Sequence, residues 1–289
     1  MITKTAPMLG AVAVLFGAAS MASAQYLLIP ESSNDTVGMY DPYDGTYLGD
    51  LIDGAGLFST PINALLGPDG YIYVSDQVAD SVFRFDTDGN YVDTFVSGYN
   101  NIRGADFYGD HLFVTSGDDY VAEFDADGNF VGNFIQDGSD PFDIFFLADG
   151  RSLLANIQGT EDDIRLYAAD GMSHSSLFSV SFPEQIQYMP STGNYLNISF
   201  SDSVVSEFDL DGVVYNQWDF PGGRGVYELG NGNLLLTSGS GVFSLNTDNG
   251  DLTEIRGGVS ARFIELIPAP GVLSLLALAG LAARRRRRD

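Results

Sequence analysis

The sequence predicts an all-β fold: six sheets of four antiparallel strands, set as the sectors of a closed ring. Three observations predict it. One stretch spells out a whole four-strand unit. A short mark closing the third strand of that unit recurs at near-constant spacing. The repeat region begins one strand short, and a single strand is left over at its far end.

The unit runs from Pro61-Ile62-Asn63-Ala64-Leu65-Leu66 through Gly67-Pro68-Asp69-Gly70 into Tyr71-Ile72-Tyr73-Val74-Ser75-Asp76. Ser81-Val82-Phe83-Arg84-Phe85-Asp86 follows, then a turn, then Asn90-Tyr91-Val92-Asp93-Thr94-Phe95-Val96. Each piece has strand length, β-branched or aromatic enrichment and partial alternation. Asp69-Gly70 and Asp88-Gly89 are hairpin signals. The mark is an aromatic or apolar residue just before a Gly-containing turn. It recurs as Tyr40-Asp41, Phe85-Asp86, Phe124-Asp125, Tyr167-Ala168, Phe208-Asp209 and Leu245-Asn246, at spacings of 45, 39, 43, 41 and 37 residues. Pro141 to Gly150 matches Pro61 to Gly70 position by position in residue type. Four strands every ~40 residues is the pattern of a β-propeller, whose blades must stack because each alone leaves a face unburied.

Closure follows from the ends of the repeat. Tyr26-Leu27-Leu28-Ile29 reads as a second strand with no innermost strand before it. Arg262-Phe263-Ile264-Glu265-Leu266-Ile267 reads as an innermost strand with nothing after it. Paired, they complete a composite blade, bring the count to six and remove an open sheet edge. A β-sandwich has similar strand density, but the regular period speaks against it.

The termini read as addresses. Lys4, the apolar run Met8 to Ala19 and Ala22-Ser23-Ala24 have the order of a signal peptide, with cleavage expected between Ala24 and Gln25. The expected division is therefore signal 1–24, propeller 25–267 and tail 268–289. There are no cysteines, so an exported domain must stand on its core without disulfides. From Gln25 to Pro268 the chain holds seven arginines, no lysine and 38 of its 39 acidic residues, leaving a formal charge of −31. Such a domain repels nucleic acids and anionic membrane surfaces. A saline habitat or a calcium-rich exterior would each suit it.

Asp86-Thr87-Asp88-Gly89-Asn90, Asp125-Ala126-Asp127-Gly128-Asn129 and Asp209-Leu210-Asp211-Gly212 begin like calcium loops. Their twelfth positions, Ser97, Gln136 and Phe220, lack the bidentate Glu that such loops need. Hairpins in which Asp caps the turn and Gly takes positive φ are the expected outcome. No cofactor is expected, weak surface calcium aside.

In propellers, ligands meet the face formed by two loop sets. The loops from second to third strands are acidic here: Asn34-Asp35, Asp76 with Asp80, Asp118-Asp119, Asp162-Asp163 and Asp202. Aligning the innermost strands puts Arg103, Arg224 and Arg262 at one position near the channel, where other blades have Ile62, Phe142 and Glu184. The next position holds Asn63, Asp143 and Gln185. Such a ring suits hydrogen bonding to a sugar or uronate. It equally suits arginines that pair with neighbouring aspartates and tie blades together. Enzyme signatures are thin. His111 and His174 lack the spacing of a zinc pair, and neither a Cys nucleophile nor a Gly-x-Ser-x-Gly elbow occurs.

The blade pattern resembles the NHL-repeat and six-bladed propeller families over the whole mature domain. That superfamily includes binding proteins, gluconolactonase-like hydrolases and bacterial lyases, and fold alone does not choose among them. A gluconolactonase-like metal site would imply a Glu, an Asn and an Asp converging at the channel, for which Glu31, Asn63 and Asp143 are the candidates. The tail is Pro268-Ala269-Pro270, an apolar run from Gly271 to Ala283, then Arg284, Arg285, Arg286, Arg287 and Arg288. It resembles the PEP-CTERM sorting signal of Gram-negative exported proteins, with Ala269 in place of the usual glutamate. The resemblance implies transient anchoring in the inner membrane, processing by an exosortase-type protease and delivery to the cell surface. The function expected is a non-enzymatic binding or matrix protein for extracellular polysaccharide or protein. The alternative is a metal-dependent gluconolactonase-like hydrolase or lyase.

Overall fold

The computed structural model describes residues 25–137, 140–158 and 161–267. The signal segment up to Ala24, the sorting motif Pro268-Ala269-Pro270 and the arginines after it lie outside the described residues. Twenty-four strands form six four-stranded antiparallel sheets, and there is no helix among the described residues. Five blades run in chain order from innermost to outermost strand: 61–97, 102–135, 141–179, 183–219 and 223–257. The sixth joins the C-terminal Glu265–Ile267 to Tyr26–Glu31, Thr36–Tyr40 and Tyr47–Asp53.

The predicted clasp is therefore present. Tyr26 pairs with Ile267, Leu27 with Leu266 and Leu28 with Glu265. The regular strand is shorter than the expected Arg262 to Ile267. Arg262 N–H still reaches Pro30 O at 2.9 Å, but Phe263 N–H turns to Ile62 O of the next blade at 3.1 Å. Ile264 N–H goes to Gln185 Oε1 across the ring at 3.0 Å. Those donors serve the ring rather than the neighbouring strand, which ends the ladder.

The six recurrent marks end the third strands of the six blades: Thr36–Tyr40, Ser81–Phe85, Tyr120–Phe124, Asp163–Tyr167, Val204–Phe208 and Gly241–Leu245. Tyr40, Phe85, Phe124, Tyr167, Phe208 and Leu245 are all fully or almost fully buried. The apolar core is divided into six clusters, which alternate with the blades. Leu28, Val37 and Ile52 of the composite blade, for example, meet Ile72, Val74, Phe83 and Phe85 of the next. Burial at these junctions is what closes the ring. Trp218 lies in the outer strand Val214–Asp219, partly packed on such a cluster, its indole N–H 3.3 Å from Thr247 O.

The Asp-Gly hairpins are turns, as read. Asp86 Oδ1 accepts from the N–H groups of Asp88 and Asn90 at 3.0 and 2.9 Å, and Gly89 has φ +83°. A Cβ at Gly89 would collide with the Leu51 carbonyl of the preceding blade. The glycine thus provides both positive φ and a close blade-to-blade approach. Asp125 and Asp209 repeat the cap.

Candidate functional site at the channel mouth

The innermost strands carry the site, and a repeated irregularity aims it. Each whole blade shifts register near the start of that strand: between Pro61 and Asn63, Ile102 and Ala105, Pro141 and Asp143, Pro183 and Ile186, Gly223 and Gly225. The aligned position Ile62, Arg103, Phe142, Glu184, Arg224 falls inside the bulge, which turns those side chains off the regular pleat.

The bulges are held by residues that sequence reasoning missed. Ser75 Oγ donates to Arg103 O at 2.6 Å, Thr115 Oγ1 to Phe142 O at 3.2 Å and Thr237 Oγ1 to Arg262 O at 2.6 Å, each reaching the next blade. Asn197 Nδ2 donates to Gln185 O at 3.1 Å within its own blade. The available signal was a polar residue one or two places before the polar end of these second strands: Ser75 before Asp76, Thr115 before Ser116, Asn197 before Ser199 and Thr237 before Ser238.

The second predicted layer is a set of cross-blade locks. Asn63 Nδ2 donates to Ala105 O at 2.9 Å, and Asp143 Oδ2 accepts Ile186 N–H at 2.8 Å. Gln185 Oε1 accepts from Val226 N–H and Ile264 N–H, both at 3.0 Å, and its Nε2 donates to Ile264 O at 2.8 Å. All three side chains are buried. Asp106 accepts Phe107 and Phe146 N–H at 2.7 and 2.8 Å, while Glu265 accepts Gln185 Nε2 at 3.2 Å. Asp143 is buried, and Asp106 and Glu265 are half-buried in the channel wall. Burial pushes Asp106 up to about 7 and Glu265 up to about 8, and it raises Asp143 well above the usual carboxylate range.

Above this layer the arginines part company. Arg103 Nη1 donates to Asp140 Oδ1 at 2.6 Å and Pro141 O at 3.0 Å, its guanidinium 5.2 Å from the Phe142 ring. Arg224 pairs with Glu184 and lies 4.2 Å over Phe200. Phe142, Phe182 and Phe200 connect the two, with ring centroids 5.5 and 5.7 Å apart. Phe182 has φ +52° directly before Pro183, a conformation that a bulky residue adopts only when its surroundings impose it. Asp162 Oδ2 accepts its N–H at 2.8 Å, and its carbonyl accepts Phe200 N–H at 3.0 Å. The acidic loops thus act partly as backbone caps. Asp202 accepts Ser181 N–H at 2.7 Å, and Asp76 takes the N–H groups of Ser59 and Thr60.

Arg262 differs. Its Nε donates to Ser32 Oγ at 3.2 Å, and among the described residues it has no carboxylate partner. Burial lowers its pKa, and so does the neighbouring Arg224. Glu184, fully buried, is pushed up to about 7 by burial, against the pull of Arg224, Arg262 and Arg103. Its Oε2 has no hydrogen-bond partner. The predicted residues therefore fall into two sets: Arg103, Arg224 and Arg262 at the mouth, of which Arg224 contacts Glu184, and Asn63, Asp143 and Gln185 locked among the strands.

The residues suggested for a metal do not gather in that way. Glu31 is fully buried, taking the Tyr40 hydroxyl at 2.8 Å, Asn34 Nδ2 at 3.3 Å and Arg256 Nη2 at 2.9 Å. Asn63 and Asp143 face the separate partners given above. Among the described residues no group of three or more His, Cys, Asp and Glu side chains is placed to hold a metal ion.

No protein-family model matches the sequence, and no curated protein matches it. Solved structures do share the fold. A chain of a nidogen–laminin complex superposes with a TM-score of 0.71 at 14% identity, covering 84% of this chain and 98% of that one. A gluconolactonase from Xanthomonas campestris gives 0.59 at 17% identity, with 83% and 89% coverage. A virginiamycin B lyase from Staphylococcus aureus gives 0.58 at 12% identity, with 87% and 94% coverage. At these identities the likeness establishes the six-bladed propeller and leaves the chemistry to the residues.

Proposed function

We propose that this chain is an exported, surface-sorted propeller that binds an extracellular polysaccharide or matrix protein at its channel mouth without transforming it. The observation that carries the reading is the mouth itself: Arg224 paired with the buried Glu184, Arg103 and Arg262 near enough to act on that carboxylate electrostatically, and beside them a partly exposed aromatic ridge of Phe182 and Phe200. Sugars present apolar faces and hydroxyl edges, and such a mixed surface answers both. The mechanism is rigid display. Bulged strands locked across blades hold the mouth in place, so little ordering cost remains for binding. The nidogen–laminin complex is a precedent for this fold in protein assembly.

A polysaccharide array probed with the purified chain tests the reading. Arg103→Ala combined with Arg224→Ala is expected to lower binding at least tenfold, and unchanged binding overturns it. For the address, mass spectrometry of the protein recovered from producing cells is expected to find Gln25 at the N-terminus and a chain truncated near Pro268. An intact precursor as the sole species overturns that part.

The second reading, a metal-dependent hydrolase or lyase, draws on the gluconolactonase and lyase among the similar folds. Metal analysis with a lactone-hydrolysis assay separates the two. A stoichiometric ion together with turnover would replace the binding reading.

A further inference from the structure

Among the described residues, six of the seven arginines have a carboxylate partner: Arg84, Arg103, Arg151, Arg165, Arg224 and Arg256. The seventh, Arg262, has none. In a domain with 38 acidic residues this is not a shortage of partners. Its two terminal nitrogens make no hydrogen bond or ion pair among the described residues, while its Nε is fixed on Ser32. Within the same group Glu184 presents the opposite deficiency. One oxygen is taken by Arg224, and the other is buried with no donor. Arg262 and Glu184 influence each other electrostatically without forming an ion pair. An unfilled donor and an unfilled acceptor thus stand near each other, both held by neighbours. Leaving the buried Glu184 oxygen unmatched costs about 1–3 kcal/mol, whereas the terminal nitrogens of Arg262 remain open to water.

We infer that Arg262 and Glu184 form the recognition pair for a uronate, with the sugar carboxylate on the free terminal nitrogens of Arg262 and an adjacent hydroxyl donating to Glu184 Oε2. This deepens the binding reading above and rests on it. A guanidinium fork matches a carboxylate in two-point fashion, which a neutral sugar cannot supply. A ligand that only accepts leaves Glu184 unfilled, and one that only donates leaves Arg262 unfilled. A hydroxy-carboxylate fills both. Arg224, fixed between Glu184 and Phe200, provides a second positive charge that does not need to move. Three guanidiniums stand at the mouth with Glu184 and Asp140, and Asp162 and Asp202 cap the adjoining Ser181 and Phe182, so an anion is held by direct contact with Arg262 rather than by a net positive field. Repulsion from the distant acids is screened beyond about 8 Å at physiological salt. A single uronate or a chain end therefore binds better than a long polyanion laid across the face.

The test is calorimetric titration of the full-length chain with galacturonate and with galactose in 0.15 M salt. Galacturonate is expected to bind at least tenfold more tightly. Arg262→Gln is expected to lose at least tenfold for galacturonate and to leave galactose unchanged. Glu184→Gln is expected to weaken galacturonate several-fold. Arg84→Gln, on the rim with Asp93, serves as the control. Melting curves check that each variant folds, and the comparison of acidic with neutral sugar needs no variant. Equal affinity for the two sugars overturns the inference, as does galacturonate binding that Arg262→Gln leaves intact. If neutral polysaccharides bind and the arginine double variant abolishes that binding, the mouth reading survives and the uronate assignment falls. If no glycan of either class binds, the uronate inference falls, and with it the polysaccharide half of the mouth reading.

Discussion

At the outer hairpins, Asp86, Asp125 and Asp209 stand in solvent and accept bonds from their own turns, which holds their titration below the usual range. Around the channel, Asp143 and Glu184 are buried and Asp106 and Glu265 half-buried, and desolvation pushes theirs up. Each hairpin aspartate also accepts from a side chain, Asn90, Asn129 or Tyr215, and burial widens the difference. Asp106 accepts two backbone N–H groups, as a hairpin aspartate does, and still rises to about 7. Lost hydration outweighs both bonds. The rim uses carboxylates to fold turns, whereas the channel spends stability to keep them close together.

The largest expected effect breaks a channel lock. Gln185→Leu orphans the N–H groups of Val226 and Ile264, while the Ile264 carbonyl keeps Gln187 Nε2 at 3.0 Å. At about 1–3 kcal/mol for each of the two buried groups, a loss of about 2–6 kcal/mol is expected in urea unfolding. A loss below about 1 kcal/mol would mean that the ring does not depend on this side chain. Next comes a rim contact. Gly89→Ala forces a side chain into positive φ against the Leu51 carbonyl, with an expected loss of about 2–3 kcal/mol. An unchanged unfolding midpoint would show that the blades slide apart freely there.

The third effect is pH dependence. Glu265, Asp106 and Glu184 have folded pKa values above their unfolded ones. Each favours the fold fully below the unfolded value, near 4, and loses that contribution as pH rises through about 7 to 8. The Tm is expected to be lower at pH 8.5 than at pH 5.5, and Glu265→Gln to reduce the difference. A Tm that climbs over this interval would reverse the assignment of the channel acids. The smallest effect belongs to the rim acids. Their lowered values contribute stability above the unfolded pKa, lost as pH falls through the folded one. Asp86→Asn is expected to lower the Tm slightly at neutral pH and to leave it unchanged well below about pH 4, and equal Tm values at pH 7 would erase the contrast between the regions.

Blade number, the composite closure and the hairpin turns were all readable from the chain. Periodic marks such as Phe85-Asp86 report local choices: a buried aromatic closing a strand, an aspartate capping a turn, a glycine with positive φ. The arginine alignment was readable as a coincidence of position, but its meaning was not. Arg103 and Arg224 are spoken for by Asp140 and Glu184, and Arg262 is left open. Ser75, Thr115 and Thr237 looked like ordinary strand residues until their hydroxyls were seen to reach the next blade.

By itself the sequence determined a repeating pattern of strands and turns, because those depend on neighbours a few residues away. Only the tertiary structure decided which charges are satisfied and which are stranded. That depends on residues such as Glu184 and Arg262, 78 positions apart in the chain, meeting around one channel where water is scarce and a missing partner is costly.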